Sequence, residues 1–468
     1  MQKVMEINSA INSFIWGPVM LILSVSVGIY FTARLQGFQI TKVKYWLKYT
    51  IGLLFGGKKT ASKGSITPFQ AFTTAMAATA GTGNLVGVAT ALIAGGPGAV
   101  FWMWISGFFG MMTKYAEILL AVHFRKRNRQ GDWVGGPMYY ITAGMGRDYK
   151  WLAVLFAIFG SFCAFGIGNM TQINSIVGTT EAMLIELNIM AGNPAGGHST
   201  FKFVFGIVLA LLVALVLFGG LKRIANVTEL LVPFVGVACI LGCIAAIYIK
   251  RENLPGAMSL IFQGAFQMKA AAGGVWGYTI AQAIRFGVAR GVFTNEAGLG
   301  SAPIAHAAAD TDHPAKQGLW GCFEVFADTL VMCTLSALVI LTSGVFNGND
   351  AAIDGTRLIS AAFKASFGIG GTVFLAFSIL IFAYCTCLSW SLYGLRCFEF
   401  LTKGRGGQLY QGIYCGVVVL AAIMQLTLVW DISDTLNGLM MIPNLIALIG
   451  LSPIVLKLTK EYFTKNRI

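Results

Sequence analysis

The sequence predicts an all-α protein that crosses a membrane many times. Of its 468 residues, 56% are hydrophobic and only 11% are charged, whereas soluble proteins carry about 25% charged residues. Apolar runs of about 20 residues, the length that spans a bilayer, recur along the whole chain. One run also contains clustered glycines and polar residues, which indicates a helix that is interrupted inside the membrane.

About eleven apolar runs are candidates for spanning helices. They share a length that matches the hydrocarbon core and contain few charges. The predicted spans are 14–33, 66–95, 98–122, 150–178, 202–220, 227–249, 268–292, 317–342, 366–395, 408–429 and 433–457. We expect the first run to remain as a span, because no cleavage site follows it. No soluble domain fits between the spans, and short amphipathic helices are expected in the loops 34–65 and 123–149.

The positive charges lie mostly in loops on one side of the predicted membrane. The loops 34–65 and 123–149 and the C-terminal tail are rich in Lys and Arg, and such loops stay in the cytoplasm. This places the N-terminus outside and the C-terminus inside a plasma membrane of the bacterial inner type. The net charge of +14 therefore indicates a lipid bilayer and not a nucleic acid as the partner.

The nine cysteines lie mostly in apolar runs, which is typical of small buried side chains.

The stretch Ala75–Thr90 is the first predicted break. Gly81, Gly83 and Gly87 lie close together within it, and each glycine in a helix costs about 1 kcal/mol relative to Ala. In transporters, the amides that a break frees face anionic ligand groups, and the freed carbonyls face cations. Glycine also permits close helix packing, so this stretch alone does not distinguish a ligand-binding break from a packing contact.

A second small-residue stretch, Ala270–Tyr278, predicts another break. Without the first span, the other ten spans divide into two sets of five, and each broken segment opens one set. This arrangement predicts an inverted-repeat transporter. The predicted organisation is an extra helix and basic loop (1–65), a first repeat (66–250), a second repeat (251–460) and a tail (461–468).

Four motifs closely resemble those of the sodium:alanine (alanine/glycine:cation) symporter family. They are the long string that contains N-E-A-G-L-G-S-A-P (Arg285–Ala309), G-T-G-N-L-V-G-V-A (Gly81–Ala89), G-G-P-M-Y-Y (Gly135–Tyr140) and G-N-M-x-Q-x-N (Gly168–Asn174). The resemblance implies a leucine-transporter-type fold of five plus five helices. It also implies sodium-coupled uptake of small neutral amino acids such as alanine or glycine, with sodium as the co-transported ion.

The resemblance also implies a sodium site between the first break and the span 366–395. The oxygen ligands that it suggests are the backbone carbonyls of Ala77, Ala80 and Ala383 and the hydroxyl of Thr386. Where this fold often has a second hydroxyl, the chain has Cys387, a poor sodium ligand. A hydroxyl that bonds back to its own helix is the alternative for Thr386.

The substrate site is expected at the same break. The substrate carboxylate would meet the free amides of Thr82, Gly83 and Asn84, and the ammonium group would meet carbonyls of Thr79 and of Gly273–Gly274. Three further side chains are candidates for contact with the substrate, namely Gln172, Trp276 and Trp390. Each of these also has a packing interpretation, which we favour for the nearby Asn174.

Acidic residues at membrane depth suggest further functions. Asp328 or Glu324 would carry the proton if the transporter were proton-coupled, although structural carboxylates are equally expected. Glu117 is expected to pair with Lys114 at i,i+3, and Glu296 with Arg285 or Arg290 in an inner gate. Residues 301–309 are expected to form a short helix along the inner surface.

Other classes of protein fit the sequence poorly. The four histidines are scattered, and the sequence has neither H-E-x-x-H nor G-x-S-x-G, so an enzyme is not expected. A passive channel would show repeated filter sequences in an oligomer, whereas the two predicted breaks differ and belong to one chain. The sequence does not indicate the oligomeric state.

Overall fold

The computed structural model describes residues 2–54, 61–191, 198–266, 280–346, 354–424 and 427–465, and it is almost entirely helical in these ranges. The first half contains α1 (Gln2–Ile15), α2 (Pro18–Arg34), α3 (Phe38–Thr41), α4 (Val43–Tyr49), α5 (Ile51–Leu54), α6 (Pro68–Thr79), α7 (Val88–Gly95), α8 (Gly98–His123), α9 (Pro137–Tyr140), α10 (Lys150–Phe165), α11 (Thr171–Glu186), α12 (Ser199–Leu217) and α13 (Gly220–Ile249). Short strands β1 (Lys126–Arg127) and β2 (Trp133–Val134) form an antiparallel hairpin after α8.

The second half of the chain is also helical. It contains α14 (Leu254–Phe266), α15 (Ile280–Asn295), α16 (Ala302–His306), α17 (Pro314–Val325), α18 (Thr334–Thr342), α19 (Gly355–Phe367), α20 (Ile369–Leu401), α21 (Gly407–Ile423), α22 (Thr427–Gly450) and α23 (Ser452–Lys465). Wider π-helical turns join several of these helices, at Gly83–Gly87, Ile141–Met145, Gly166–Met170 and Phe326–Cys333. Single 3₁₀ turns occupy Arg147–Tyr149 and Arg251–Asn253.

The described residues contain eight helices that are long and apolar enough to cross a membrane. The pair α6 and Gly83–Gly95, bent by 48° at its break, makes up to nine. The predicted all-α, polytopic fold is thus confirmed, but the predicted count of eleven is not reached in these ranges. One predicted span, 268–292, lies partly outside the described residues, and another corresponds to α21, which has only 17 residues.

The interior of the protein is centred on α8. This helix packs against both α15 and α17, and its residues from Gly110 to Val122 are all buried. Helices α12 and α13 lie at the periphery, where apolar side chains such as Leu215 and Leu230 point outward. Such an outward apolar face is what a lipid-exposed helix requires.

The helix α6 begins with a well-defined cap and ends at a weak point of the sequence. The Thr67 hydroxyl accepts from the Gln70 amide at 3.1 Å, and the Gln70 side chain accepts from the Thr67 amide at 3.0 Å. This capping box satisfies two free donors of the first turn. At the other end, Ala80 leaves the helical conformation with ψ 82°, and Gly81 follows. The break therefore falls where the sequence places its first glycine.

Candidate functional site: two facing helix breaks

The first break allows α6 and its continuation to approach α20 closely. A Cβ atom on Gly81 would lie 2.8 Å from the Thr386 Oγ1, so only glycine fits without displacing the Thr386 hydroxyl. The second half of the broken helix starts at the π-helical turn Gly83–Gly87. The first amides of a helix lack partners within it, so this break offers backbone donors inside the protein.

The structure brings together two of the residues predicted to hold sodium. The Thr386 hydroxyl lies 2.8 Å from the Ala77 carbonyl oxygen and 3.0 Å from the carbonyl of Phe382 in its own helix. Ala383 shares a face of α20 with Thr386 at i,i+3, and Ala80 ends the first half-helix; both residues are buried. The Cys387 sulfur instead faces the Tyr414 hydroxyl at 3.7 Å, so this side chain is directed towards α21.

A small buried cavity lies beside the first break. Its volume is about 20 Å³, enough for about one water molecule. Four of the predicted substrate residues line it, namely Thr79, Thr82, Gly83 and Gln172. The Gln172 carbonyl oxygen accepts from the Thr82 hydroxyl at 3.3 Å, and its amide nitrogen donates to the Ile167 carbonyl at 3.0 Å. The Thr79 hydroxyl bonds back to Met76 at 3.2 Å.

Other predicted substrate residues lie elsewhere. Asn84 does not line the cavity. Its side-chain nitrogen donates to the Asp328 carboxylate at 2.6 Å, and its side-chain oxygen accepts from the Gly81 amide at 3.2 Å. It therefore holds the break in shape. Trp390 is buried against Gly168 and also does not line the cavity. Gly273, Gly274 and Trp276 lie outside the described residues, as does the predicted break at 270–278.

A second break is present further along the chain, at residues 296–301 between α15 and α16. Three residues there adopt positive φ angles, namely Glu296 at 55°, Gly298 at 95° and Gly300 at 81°. A positive φ is uncommon for a residue with a side chain and marks a position that its surroundings enforce. The segment Asn-Glu-Ala-Gly-Leu-Gly has the same signal as the first break, two glycines two residues apart, but the prediction did not use it.

The two breaks face each other across the cavity. A Cβ atom on Gly83 would lie 3.3 Å from the Thr294 methyl group, and the Cys333 sulfur lies between Asn84 and Thr294, within 3.8 Å of both. The cavity lining also includes residues that the sequence did not indicate as ligands: Ala78, Ile167, Thr171, Phe293, Thr294, Glu296 and Asn437. The site is thus built from four different helices and the second break.

Two predictions about the residues around the break at 296–301 were wrong. Residues 301–309 do not lie along the surface, since all of them are buried, with α16 packed against α6 and α8. Glu296 does not pair with Arg285 or Arg290; its carboxylate accepts from the Ser301 hydroxyl at 2.5 Å. The two arginines instead lie over the neighbouring rings of Phe286 and Phe293. The two guanidinium groups thus lie over phenylalanine rings, whereas the Glu296 carboxylate is buried.

Buried side chains take up the free backbone groups of the second break. The Lys114 ammonium group donates to the Asn295 carbonyl at 2.7 Å and pairs with Glu324 at 3.1 Å, so the expected pair with Glu117 is not formed. Glu117 instead accepts from the Gly298 amide at 3.0 Å and from Asn444 at 2.5 Å. All these charged side chains are completely buried. The second break is therefore held by an ion pair and a carboxylate in place of helix hydrogen bonds.

A continuous chain of buried hydrogen bonds and one ion pair, which we call the relay, joins the two breaks. From Asn84 it passes through the Asp328 carboxylate to the Thr329 hydroxyl at 2.9 Å, and from Thr329 to the Asn295 amide at 3.0 Å. From Asn295 it reaches Lys114 and Glu324. The relay then continues from Glu324 to His306 at 3.2 Å and from His306 to Gln317 at 2.8 Å.

The relay ends where it can restrain the first half-helix. The Gln317 amide donates to the carbonyl of Pro68, the first residue of α6, at 3.4 Å. Gln317 also donates to the His306 Nδ1, so the His306 Nε2 carries the hydrogen that Glu324 accepts. Both carboxylates considered for proton transfer, Asp328 and Glu324, therefore lie in one buried network. The network connects both breaks to the start of α6.

The fold and the site define a membrane transporter of the broken-helix class. A manganese transporter of Eremococcus coleocola shares this fold, with a TM-score of 0.52 and 15% identity over 81% of this chain and 75% of that one. A family model with the description "Sodium:alanine symporter family" matches residues 1–468 of the chain. The chain belongs to this family, and it is a sodium-coupled amino acid symporter and not an enzyme.

Relatives match the chain over nearly its full length. The sodium/alanine symporter AgcS of Methanococcus maripaludis is 43% identical over 97% of this chain and 96% of its own. An uncharacterised transporter of Haemophilus influenzae is 45% identical over 99% and 97%. A probable sodium/glutamine symporter of Bacillus subtilis is 37% identical over 100% and 92%. The names of these relatives thus include both a small and a larger amino acid.

Proposed function

We propose that this protein imports small neutral amino acids, of the alanine or glycine type, together with sodium. The observation that carries the proposal is the small cavity at the first break, lined by Gln172 and by backbone that α6 no longer uses. The cavity is small, and Phe293 and Asn437 are among the residues that line it, which favours a substrate with a short side chain. The substrate carboxylate would meet the amides of Thr82, Gly83 and Asn84, at the positive end of the second half-helix.

The proposed sodium site lies next to the substrate. Its ligands would be the carbonyl oxygens of Ala77, Ala80 and Ala383 and the hydroxyl of Thr386, a set of hard oxygen donors that suits a hard cation. Support comes from the Thr386 hydroxyl, which lies 2.8 Å from the Ala77 oxygen. When sodium binds there, the hydroxyl would turn its lone pair to the ion. The ion would then fix the end of α6 and thereby complete the substrate site.

The proposed cycle is alternating access in a plasma membrane, with the N-terminus outside and the C-terminus in the cytoplasm. The two proposed repeats would be 66–250 and 251–460, preceded by the extra segment 1–65. The ammonium group of the substrate would meet the Thr79 carbonyl and, as a prediction on residues outside the described ranges, those of Gly273–Gly274. Movement of α6 against α16 would open the inner side, which requires the relay to break at Gln317 and Pro68.

The test is uptake of radiolabelled alanine into proteoliposomes that contain the purified protein. We expect uptake that requires an inward sodium gradient and stops when the gradient is dissipated. Unlabelled glycine should compete strongly and glutamine weakly. Strong competition by glutamine with none by glycine would contradict the small-substrate proposal. Absence of any sodium-dependent uptake would contradict the proposal as a whole.

A second candidate is proton coupling, because Asp328 and Glu324 are both completely buried and belong to the relay. Ionisable groups at this depth are candidates for proton transfer. Replacing sodium by choline at fixed pH, with an inward proton gradient, separates the two candidates. Uptake that persists in choline and fails in an Asp328→Asn or Glu324→Gln variant would favour proton coupling.

A further inference from the structure

A basic pocket lies at one end of the spanning helices, well separated in sequence from the transport cavity. It is enclosed by the β1–β2 hairpin and by the turn that follows α20, and its volume is about 250 Å³. Tyr139 and Phe400 form an aromatic wall, with ring centroids 5.5 Å apart. Four cationic side chains line the pocket, namely Lys126, Arg127, Arg129 and Lys403.

The charge of the pocket is not balanced by its own acid. Its one lining carboxylate, Glu399, accepts from Arg396 at 2.7 Å, and Arg396 also pairs with Asp132 at 3.4 Å. Within the described part of the chain, Lys126, Arg129 and Lys403 form no salt bridge. A concave surface with unpaired ammonium and guanidinium groups attracts an anion.

The pocket is held in a fixed shape. The Arg127 guanidinium stacks on Trp133 at 4.1 Å and donates to the carbonyls of Lys63 and Gly131. On the opposite wall, Lys403 and Gly404 adopt positive φ angles of 55° and 81°. This turn lies close to the hairpin, since the Arg129 side chain is 3.8 Å from the Cβ position of Gly404. A preformed site loses little entropy when a ligand binds.

The position of the pocket favours a lipid as the source of the anion. Spanning helices α8 and α20 end at His123 and Leu401, which places the pocket at the level of lipid head groups. Next to it, α21 exposes Leu409 and Ile413, which are 67% and 51% accessible. We propose that this pocket binds the phosphate head group of an anionic phospholipid, whose acyl chains lie along this face of α21.

The test uses the full-length protein and phosphatidylglycerol as the probe. The protein is first delipidated and placed in nanodiscs of phosphatidylcholine, into which phosphatidylglycerol is titrated. Native mass spectrometry then measures the phosphatidylglycerol retained by the wild type and by a Lys126→Gln/Lys403→Gln variant. We expect the variant to bind phosphatidylglycerol about tenfold more weakly or worse, since each cation near an anionic head group contributes to binding. The matched control is Lys44→Gln/Lys48→Gln, which removes the same charge from exposed positions outside the pocket.

Two results would overturn the proposal. Equal binding of phosphatidylglycerol by the wild type and by the pocket variant would show that the lipid contacts the protein elsewhere. Displacement of the lipid by millimolar inorganic phosphate, with equal thermal stabilisation by phosphate alone, would assign the pocket to a soluble anion. If the double variant proves unfolded by gel filtration, the Arg129→Gln variant at the exposed hairpin takes its place, with the same expected direction.

Discussion

At the scale of single residues, Thr386 has the sharpest predicted role. Thr386→Val keeps the shape of the side chain and removes the hydroxyl that meets the Ala77 carbonyl. We expect the sodium concentration for half-maximal uptake to rise about tenfold, since one hydrogen-bonding or ligand contact contributes about 1 kcal/mol or slightly more. Sodium titration of alanine uptake is the measurement.

The matched control for Thr386 lies on the same helix. The Ser378 hydroxyl bonds back to the Phe374 carbonyl at 2.8 Å and also contacts the Cys239 thiol. Neither contact belongs to the proposed sodium site, so Ser378→Ala should leave the sodium dependence unchanged. Thr386→Ser should retain most of the wild-type behaviour. An unchanged sodium titration in well-expressed Thr386→Val would return this residue to a packing role.

Gln172 is the second residue whose role can be isolated. Gln172→Leu removes the amide that lies beside the cavity and accepts from the Thr82 hydroxyl. We expect the KM for alanine to rise about fivefold to tenfold, with the sodium titration less affected. Asn174→Leu is the control, because the Asn174 amide bonds across to the Met424 carbonyl at 3.2 Å and does not line the cavity. If both variants raise the KM equally, the effect comes from helix packing.

At the scale of elements, the close approach of the first break to α20 is testable through a glycine. In Gly81→Ala, the new methyl group would lie 2.8 Å from the Thr386 oxygen, which forces the break away from α20. Overpacking of this kind costs about 1–3 kcal/mol, so we expect alanine uptake to fall about tenfold or more. Gly178→Ala on α11, where nothing lies within 4 Å, should transport normally. Equal uptake by the two variants would contradict the proposed geometry.

The buried ion pair at the second break makes a different kind of prediction. Lys114→Met leaves the Glu324 carboxylate unpaired in the interior and removes the donor to Asn295. Removing one partner of a buried pair costs about 3–5 kcal/mol, so thermal unfolding in detergent should occur at a clearly lower temperature. The double variant Lys114→Met/Glu324→Gln should recover part of this loss, because the uncompensated charge is gone.

The control for the ion pair is an exposed pair of the same type. Lys457 and Glu461 lie 3.9 Å apart on the surface, where such pairs contribute little, so Lys457→Met should unfold like the wild type. A double variant that is less stable than Lys114→Met would mean that Glu324 stabilises the break by its other contact, with His306.

At the scale of the whole molecule, the proposed sodium and substrate sites share one structural element. Both would use the end of α6, so sodium binding should raise the affinity for alanine. Thermodynamic linkage requires alanine to raise the affinity for sodium by the same factor. We expect a factor of about 5 or more in equilibrium binding measurements on the purified protein. Affinities that are independent of each other would contradict the coupling proposed here.

The sequence by itself determined the class of the molecule. Long apolar runs with few charges are what spanning helices require in lipid, so the all-α fold was predictable. The clustered glycines near residue 81 weaken a helix, so the first break was predictable as well. The N-E-A-G-L-G-S-A-P string was recognised as a family motif, yet its structural meaning as a second break was missed. Its two glycines were the available signal, but the positive φ angle at Glu296 needs support from distant helices, which no local pattern displays.

Only the tertiary structure decided which polar groups meet. The sequence spacing suggested Lys114 with Glu117 and Glu296 with an arginine, because neighbours on one helix are the contacts that spacing reveals. In the fold, Lys114 pairs with Glu324, 210 positions away along the chain, and Asn84 bonds to Asp328, 244 positions away. A buried charge takes the partner that surrounds it in space, since water is excluded there. Partner choice therefore depends on helix packing, which local sequence does not encode.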